Sequence, residues 1–372
     1  MTKITKFSVQ DVRFPTSKDL TGSDAIHTDP DYSATYVTAF TDQSELKGYG
    51  IAFTIGKGND IVAECIKHFF PIFENMDLND LENNIGKLWF KCVDHSQLRW
   101  LGPEKGVVHM AVSAIFNCLW DLIAKKHKKP LWQFVVESEP EKIVSWLTFK
   151  YIEDVLTPEE ALAILSNNQN DKQKRIDTVL QEGYPSYTTA AGWLGYSDEK
   201  IIQLCREYMA KGWKHFKIKV GLDLEADVKR LELIRQTIGP ECSIMVDANQ
   251  QWNVQQSIEH INAYKKFNLL FVEEPTSPDD VSGHKKIRQA VKPIKVATGE
   301  MCQNRIMFKQ FIQEDALDIV QIDSCRIGGL NEVLGVLLLA HKYDKPVWPH
   351  AGGVGLCEYV QHIAMIDYLL IS

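Results

Sequence analysis

Six ionisable residues punctuate the second half of the chain at nearly even intervals. Lys219, Asp247, Glu273, Glu300, Asp323 and His350 are separated by 28, 26, 27, 23 and 27 residues, and Lys217 sits two before the first. Each ends a short apolar, β-rich run. Singly they read blandly: a carboxylate after a strand as the N-cap of the next helix, a K-x-K as one face of a solvated edge strand, and His350, between Pro349 and Ala351-Gly352-Gly353, as a loop residue. In register on consecutive buried strands they require partners, so the strand ends must converge. Three carboxylates with no His or Cys beside them make a hard oxygen site that suits Mg²⁺ better than Zn²⁺, so Asp247, Glu273 and Glu300 are candidate metal ligands.

Lys217 and Lys219 point to one face of their strand, while Phe216, Ile218 and Val220 point to the other. Two ammonium groups that close, beside a divalent ion, should depress each other's pKa, leaving Lys219 as a base and Lys217 as its electrostatic partner. Asp323 and His350 end neighbouring strands, and such an Asp fixes the imidazole tautomer and favours the protonated ring. A divalent ion, a basic lysine on one wall and a His-Asp pair on another describe abstraction of a proton α to a carboxylate, with the charge stabilised by the metal and Lys217. If the histidine returns a proton to carbon, the outcome is racemisation or epimerisation of a 2-hydroxy acid. If it protonates a leaving β-hydroxyl, the outcome is dehydration.

These residues need a scaffold that brings strand ends together. Residues 1–140 mix period-2 stretches (5–14, 34–41, 49–55) with helical periodicity from Ile61 and a long apolar helix over 107–124, an α+β region that closes a first domain. From Val144 the pattern becomes strand, helix, strand, with strands expected at 144–151, 215–220, 242–247, 269–273, 294–300, 318–323 and 346–350. An insertion with the polar stretch 166–175 separates the first two. Residues 227–238 read as an amphipathic helix stopped by Gly239 and Pro240. Repeated β/α units mean parallel pairing with right-handed crossovers. An open doubly wound sheet also fits that alternation, but it would spread the charged ends along an edge, whereas a barrel gathers them at its C-terminal mouth. The expectation is a TIM-type (β/α)₇β barrel over 141–372 behind an N-terminal capping domain.

The 372 residues are 45% hydrophobic and 24% charged, with net charge −8, which excludes a disordered chain and gives no general attraction to nucleic acid or anionic lipid. No apolar run approaches a membrane span, and the N-terminus shows neither a signal h-region nor a transit peptide. Eight scattered cysteines without a C-x-x-C pair read as reduced thiols, so a soluble intracellular protein is expected.

The ordered set Lys217-Ile218-Lys219, Asp247-Ala248-Asn249, Glu273-Glu274-Pro275, Gly299-Glu300 and Asp323…His350 resembles the mandelate racemase branch of the enolase superfamily, over essentially the whole chain. Residues 28–33 (TDPDYS), 101–106 (LGPEKG) and 349–355 (PHAGGVG) further resemble its L-fuconate dehydratases. That resemblance implies a Mg²⁺-dependent hydro-lyase converting L-fuconate to 2-dehydro-3-deoxy-L-fuconate. It makes Lys219 the base at C2 and His350, paired with Asp323, the acid at the 3-hydroxyl. It adds Gly22, Ser23, Asp24 and Tyr32 of the capping loop, Lys217, Asn249, and the Ala351 and Gly352 backbone as substrate contacts. It also implies oligomeric and mitochondrial relatives. The family's barrel closes with an eighth strand that is missing after the expected seventh helix (356–370). Unpaired edges there lead us to expect weak stability and little turnover, which leaves room for a catalytically impaired form with a binding or regulatory role.

Overall fold

The structure is a computed structural model that describes residues 2–102, 104–168 and 171–372. Pro103 of the 101–106 motif and residues 169–170 of the polar stretch lie outside the described residues. Near the N-terminus, β1 (Ile4–Arg13), β2 (Ser33–Thr41) and β3 (Lys47–Thr54) form an antiparallel meander in the order β1-β2-β3. The period-2 stretches are these strands.

The long helix spans Gly106–Lys126 and is buried along nearly all its length. By length and composition it could cross a membrane, which corrects the expectation that no segment reaches that size, but most of it is inside the protein. Counting uninterrupted apolar runs missed it because His109, Ser113 and Asn117 break the run. Two of these polar groups tie the cap to the barrel. His109 Nε2 lies 2.5 Å from Glu332 Oε2, and Asn117 Nδ2 donates to the Ser324 carbonyl at 3.0 Å.

Five parallel strands form the barrel wall in sequence order: β4 (His215–Lys219), β5 (Ser243–Asp247), β6 (Leu269–Glu273), β7 (Lys295–Thr298) and β8 (Ile319–Val320). Helices at Leu224–Ile238, Val254–Tyr264, Val281–Ala290 and Arg305–Gln313 connect them, and Leu330–Lys342 follows β8. Single parallel bridges, Thr188 to Phe216 and Val320 to Val347, add one stave at each side, making seven described positions. Among the described residues no ladder joins the Thr188 stave to the Val347 stave. The Tyr187 and Trp348 rings stack there with centroids 6.3 Å apart.

Alternation decides what faces where. Phe216, Ile218, Val246, Val272 and Val296 pack outward with the helices, whereas Met245, Phe271, Ala297 and Ile319 form an apolar floor inside the barrel. The charged ends of the same strands lie above that floor.

The first barrel strand is not at 144–151. Helix Pro140–Ser145 and a string of turns occupy that stretch. Its buried residues Ile143, Trp146, Phe149, Ile152 and Val155 recur every third position, a turn-like period, and Trp146 packs on Trp120 of the long helix with centroids 4.7 Å apart. The stave at Thr188 takes the first place instead. Thr188 N donates to His215 O, Lys217 N to Thr188 O, and Lys219 N to Gly192 O, each at 2.9 Å. Gly192 lies so close to β4 that a Cβ there would collide with the Lys217 carbonyl.

Candidate active site at the barrel mouth

Register brings the charges together. Lys219 pairs with Asp247 across β4 and β5, and Asp247 with Glu273 across β5 and β6. Lys217 Nζ donates to both Glu273 oxygens at 2.8 Å and lies 3.3 Å from Asp247 Oδ2. Lys219 Nζ donates to Asp247 Oδ2 at 2.7 Å and to Asn249 Oδ1 at 2.8 Å. Asp247 Oδ1 accepts the Asn249 amide at 3.0 Å, which orients the carboxylate. All four charged groups are at least nine-tenths buried.

Glu300 completes an oxygen cluster: one carboxylate oxygen from each of Asp247, Glu273 and Glu300 lies within 4.8 Å of the others. The donor set passes the test for a divalent cation, since all three ligand atoms are hard oxygens, two from the ends of β5 and β6 and one from the turn just after β7. Crowding supports the same reading. Burial first, then the Asp247 charge, pushes the Glu273 carboxyl above its ordinary range, a cost that a cation among the three would relieve.

On the opposite wall, His350 Nδ1 lies 2.7 Å from Asp323 Oδ2, and its Nε2 is 3.3 Å from Glu300 Oε2. Asp323 Oδ1 is held by the Cys325 amide at 2.8 Å. Burial would lower the imidazole pKa, but the Glu300 and Asp323 carboxylates outweigh it and hold the ring above the ordinary histidine value. The Ala351-Gly352 backbone borders this dyad: a Cβ on Gly352 would stand 3.2 Å from His350 Cε1 and Nε2.

Carboxylates bear on Lys219 as well as the second cation. Burial and Lys217 both favour the neutral amine, but Asp247, supported by Glu300 and Asp24, raises Lys219 above the ordinary lysine value. The expectation from sequence is for the site with its divalent ion, whose positive charge acts against these carboxylates.

The capping loop covers this mouth, but its polar groups are used differently from one another. Ser23 Oγ donates to Leu194 O at 2.5 Å, making it a strut to the first stave. Asp24 Oδ1 accepts the amides of Ile26 and His27 at 2.8 and 2.6 Å, and its Oδ2 meets His27 Nδ1 at 3.0 Å. Gly22 lies against the Tyr32 ring with no room for a side chain. Tyr32 is close enough to Lys219 and Glu300 to feel their charges, and burial pushes its phenol up to about 12.

Sequence reasoning overlooked several groups at this mouth. Trp193 and Tyr187 lie under Lys219 and Lys217, 5.6 and 5.3 Å from ammonium to ring centroid. Their stave lacks a long apolar run, so nothing marked it as a strand. Gln321 is wholly buried, and neither end of its amide has a hydrogen-bond partner among the described residues. Its place two residues before Asp323, on the same strand face, was the available signal.

Residues 200–370 match the family described as enolase C-terminal domain-like. The L-galactonate dehydratase of Hypocrea jecorina is 52% identical over 374 residues, 99% of this chain and 83% of that protein. A crystal structure of human mitochondrial enolase superfamily member 1 superposes with TM-score 0.98 at 50% identity, covering 100% of this chain and 85% of that one. An L-talarate/galactarate dehydratase from Salmonella typhimurium LT2, solved with Mg and L-lyxarohydroxamate, shares the fold at TM-score 0.74 and 23% identity, over 98% of this chain and 80% of that one. With a half-identical likeness running its whole length, this chain belongs to the enolase superfamily.

Proposed function

We propose that this protein is an acid-sugar dehydratase acting on a six-carbon aldonate of L-galacto configuration, with L-fuconate as its substrate. L-Fuconate is L-galactonate without the 6-hydroxyl, so the Hypocrea relative's name supports the same stereochemistry. The observation that carries the reading is the opposition, across one oxygen cluster, of the buried lysine pair and the Asp323-held His350.

Asp247, Glu273 and Glu300 are the residues to hold Mg²⁺, which would stabilise negative charge developing on the substrate carboxylate and offset the carboxylates that keep Lys219 protonated. Lys219 Nζ then takes the C2 proton. Lys217, fixed by Glu273, presents its charge to the same carboxylate end. His350, protonated and oriented by Asp323, gives its proton to the 3-hydroxyl, which leaves as water as the C3–O bond breaks. The resulting enol tautomerises to the 2-keto-3-deoxy acid. Asn249 steers Lys219, and the Ala351-Gly352 backbone borders the acid.

In this reading residues 1–140 cap the 141–372 barrel and exclude water from its mouth. The human relative's name supports a mitochondrial setting, which cell fractionation tests. To test the activity, purified protein with Mg²⁺ is given L-fuconate and L-galactonate, and 2-keto acid is trapped with semicarbazide. Keto acid formation that disappears in Lys219→Ala is the expected result. C2 epimerisation without keto acid, or no turnover of any aldonate, overturns the reading.

A further inference from the structure

One arginine outside the barrel wall grips the main chain that carries Lys219. The last ladder bond between the first stave and β4 among the described residues runs from Lys219 N to Gly192 O at 2.9 Å. Past it the first stave leaves for the cap, where Leu194 N donates to Ser23 O at 3.1 Å. Arg230, in the second turn of helix Leu224–Ile238, supplies the donors that the ladder no longer does. Its Nη1 donates to Lys219 O at 2.6 Å, and its Nη2 donates to Trp193 O at 2.9 Å and to Gly192 O. One guanidinium thus fixes the backbone of Lys219 and that of Trp193, whose ring centroid lies 5.6 Å from Lys219 Nζ.

Asp227, one turn earlier on the helix, holds the other side of Val220: its Oδ2 accepts the Gly221 amide at 2.8 Å and the Tyr264 hydroxyl at 2.9 Å. The hydrogen bonds of Arg230 all go to main-chain carbonyls, and it enters no ion pair among the described residues. Burial pushes its guanidinium below the ordinary arginine value, so the cation is kept where it is costly. Arg235 shows what location adds. On the same helix it donates to the carbonyls of Gly239, Cys242 and Phe267 at 2.8, 2.7 and 2.8 Å. These lie before β5 and β6, at the barrel end remote from the mouth, where side chains serve stability. The two arginines bond alike, and only Arg230 does so at the proposed base.

We propose that Arg230 is a positioning residue for proton abstraction: by spanning Gly192, Trp193 and Lys219 it fixes where the Lys219 side chain starts, and hence where its Nζ meets the C2 hydrogen. This rests on the dehydratase reading for the role of Lys219. A lysine reaches its target on a flexible four-carbon stem, so a small tilt at the end of β4 grows along the stem. A general base works only within hydrogen-bond reach of its proton. The guanidinium suits this task, since its planar fork presents donors to carbonyls on two neighbouring chains at once. An ammonium in its place is a point charge that cannot span them.

The test compares wild type, Arg230→Met, Arg230→Lys and Arg235→Met in Mg²⁺, each with its thermal midpoint recorded. Turnover of L-fuconate is read as keto acid. Abstraction alone is read on the 3-deoxy analogue of L-fuconate, which has no 3-hydroxyl to lose: in D₂O the C2–H bond breaks to Lys219, the proton exchanges with solvent and deuterium returns to C2. Arg230→Met should lower kcat and the deuterium exchange rate together by about a hundredfold, the cost of roughly 1 Å of misplacement, with little change in KM. Arg230→Lys should recover part of both rates. Arg235→Met should lower the thermal midpoint and keep the wild-type kcat. Wild-type rates in folded Arg230→Met overturn the proposal, as does a loss that falls on KM alone, or an equal loss of kcat in Arg235→Met. If Arg230→Met does not fold, Arg230→Lys decides: reduced kcat at unchanged KM supports the proposal, and wild-type kcat overturns it. Wild type that exchanges the C2 hydrogen with this Arg230 dependence but releases no keto acid refutes the dehydratase reading and keeps Arg230 as a positioning residue. Wild type that does neither refutes both.

Discussion

Two buried ionic clusters, one at the cap–barrel seam and one at the barrel mouth, draw on interleaved residues of the chain and differ in how their charges are balanced. At the cap–barrel seam, Glu332 Oε1 accepts from Arg305 N and Nη1 at 2.7 and 3.0 Å, while Oε2 meets His109 Nε2 at 2.5 Å. Arg305 also donates to Glu104 Oε1 at 2.6 Å and to Lys150 O at 3.0 Å. Both Glu332 oxygens are thus engaged, although Arg305 Nη2 and His109 Nδ1 have no partner among the described residues, and the cluster joins the long cap helix, the 101–106 loop and two barrel helices. At the mouth, two lysines serve three carboxylates, Glu273 is pushed up by burial and then by the Asp247 charge, and Glu274 Oε1 and the Gln321 amide lack partners among the described residues. At the seam one carboxylate faces two basic side chains and holds the domains together, whereas at the mouth three carboxylates crowd within 4.8 Å of one another, an arrangement that suits a cation.

This contrast makes opposite predictions for activity and stability. The largest expected effect is Lys219→Ala, which should lower kcat/KM by about 10³- to 10⁴-fold, the upper range for a general base, with little change in thermal midpoint. A variant that unfolds as readily as it loses activity would place Lys219 with the seam instead. Glu332→Ala should do the reverse: it leaves His109 and Arg305 buried without their partner and should cost about 3–5 kcal/mol in denaturant titration. The fraction that stays folded should keep wild-type KM.

Chelation separates the clusters next. EDTA should abolish keto acid formation, and Mg²⁺ at a hundredfold excess over its Kd should restore it and add about 2.7 kcal/mol of stability. The Asp247→Asn variant should lose both responses, while Glu332→Ala keeps both.

The smallest effect is at the surface of the cap, where Glu82 meets Lys142 at 2.7 Å, His127 at 2.8 Å and Lys126 at 2.9 Å. Burial alone would raise its pKa, but the hydrogen bonds from Lys142, His127 and Lys126 bring it down to about 2. A carboxylate depressed on folding stabilises above its unfolded pKa and loses that contribution as pH falls through the folded value. Glu82→Gln should therefore cost roughly 2 kcal/mol near neutral pH, and the gap from wild type should close between about pH 4.5 and pH 2. A difference that stays constant across that range would assign Glu82 a packing role.

Much of the site was legible because β/α repetition prints its geometry on the sequence. A strand buried on both faces can end in Asp247 or Glu273 only where something compensates the charge, and the even spacing showed that all such ends share one face. The seam was not legible. His109, Arg305 and Glu332 follow no period, and their partners are 27 to 223 residues away. The first stave was missed because Thr188 to Gly192 are small or polar, chosen to fit against β4 rather than to fill a core.

By itself the sequence determined which side chains could converge, since alternation and the repeat length are local properties of the chain. It did not determine their charge states. Lys219 read alone stands beside a second lysine; in the barrel its Nζ also lies 2.7 Å from Asp247, a contact that favours the charged form. Protonation depends on distances between strands, and only the closed barrel sets those.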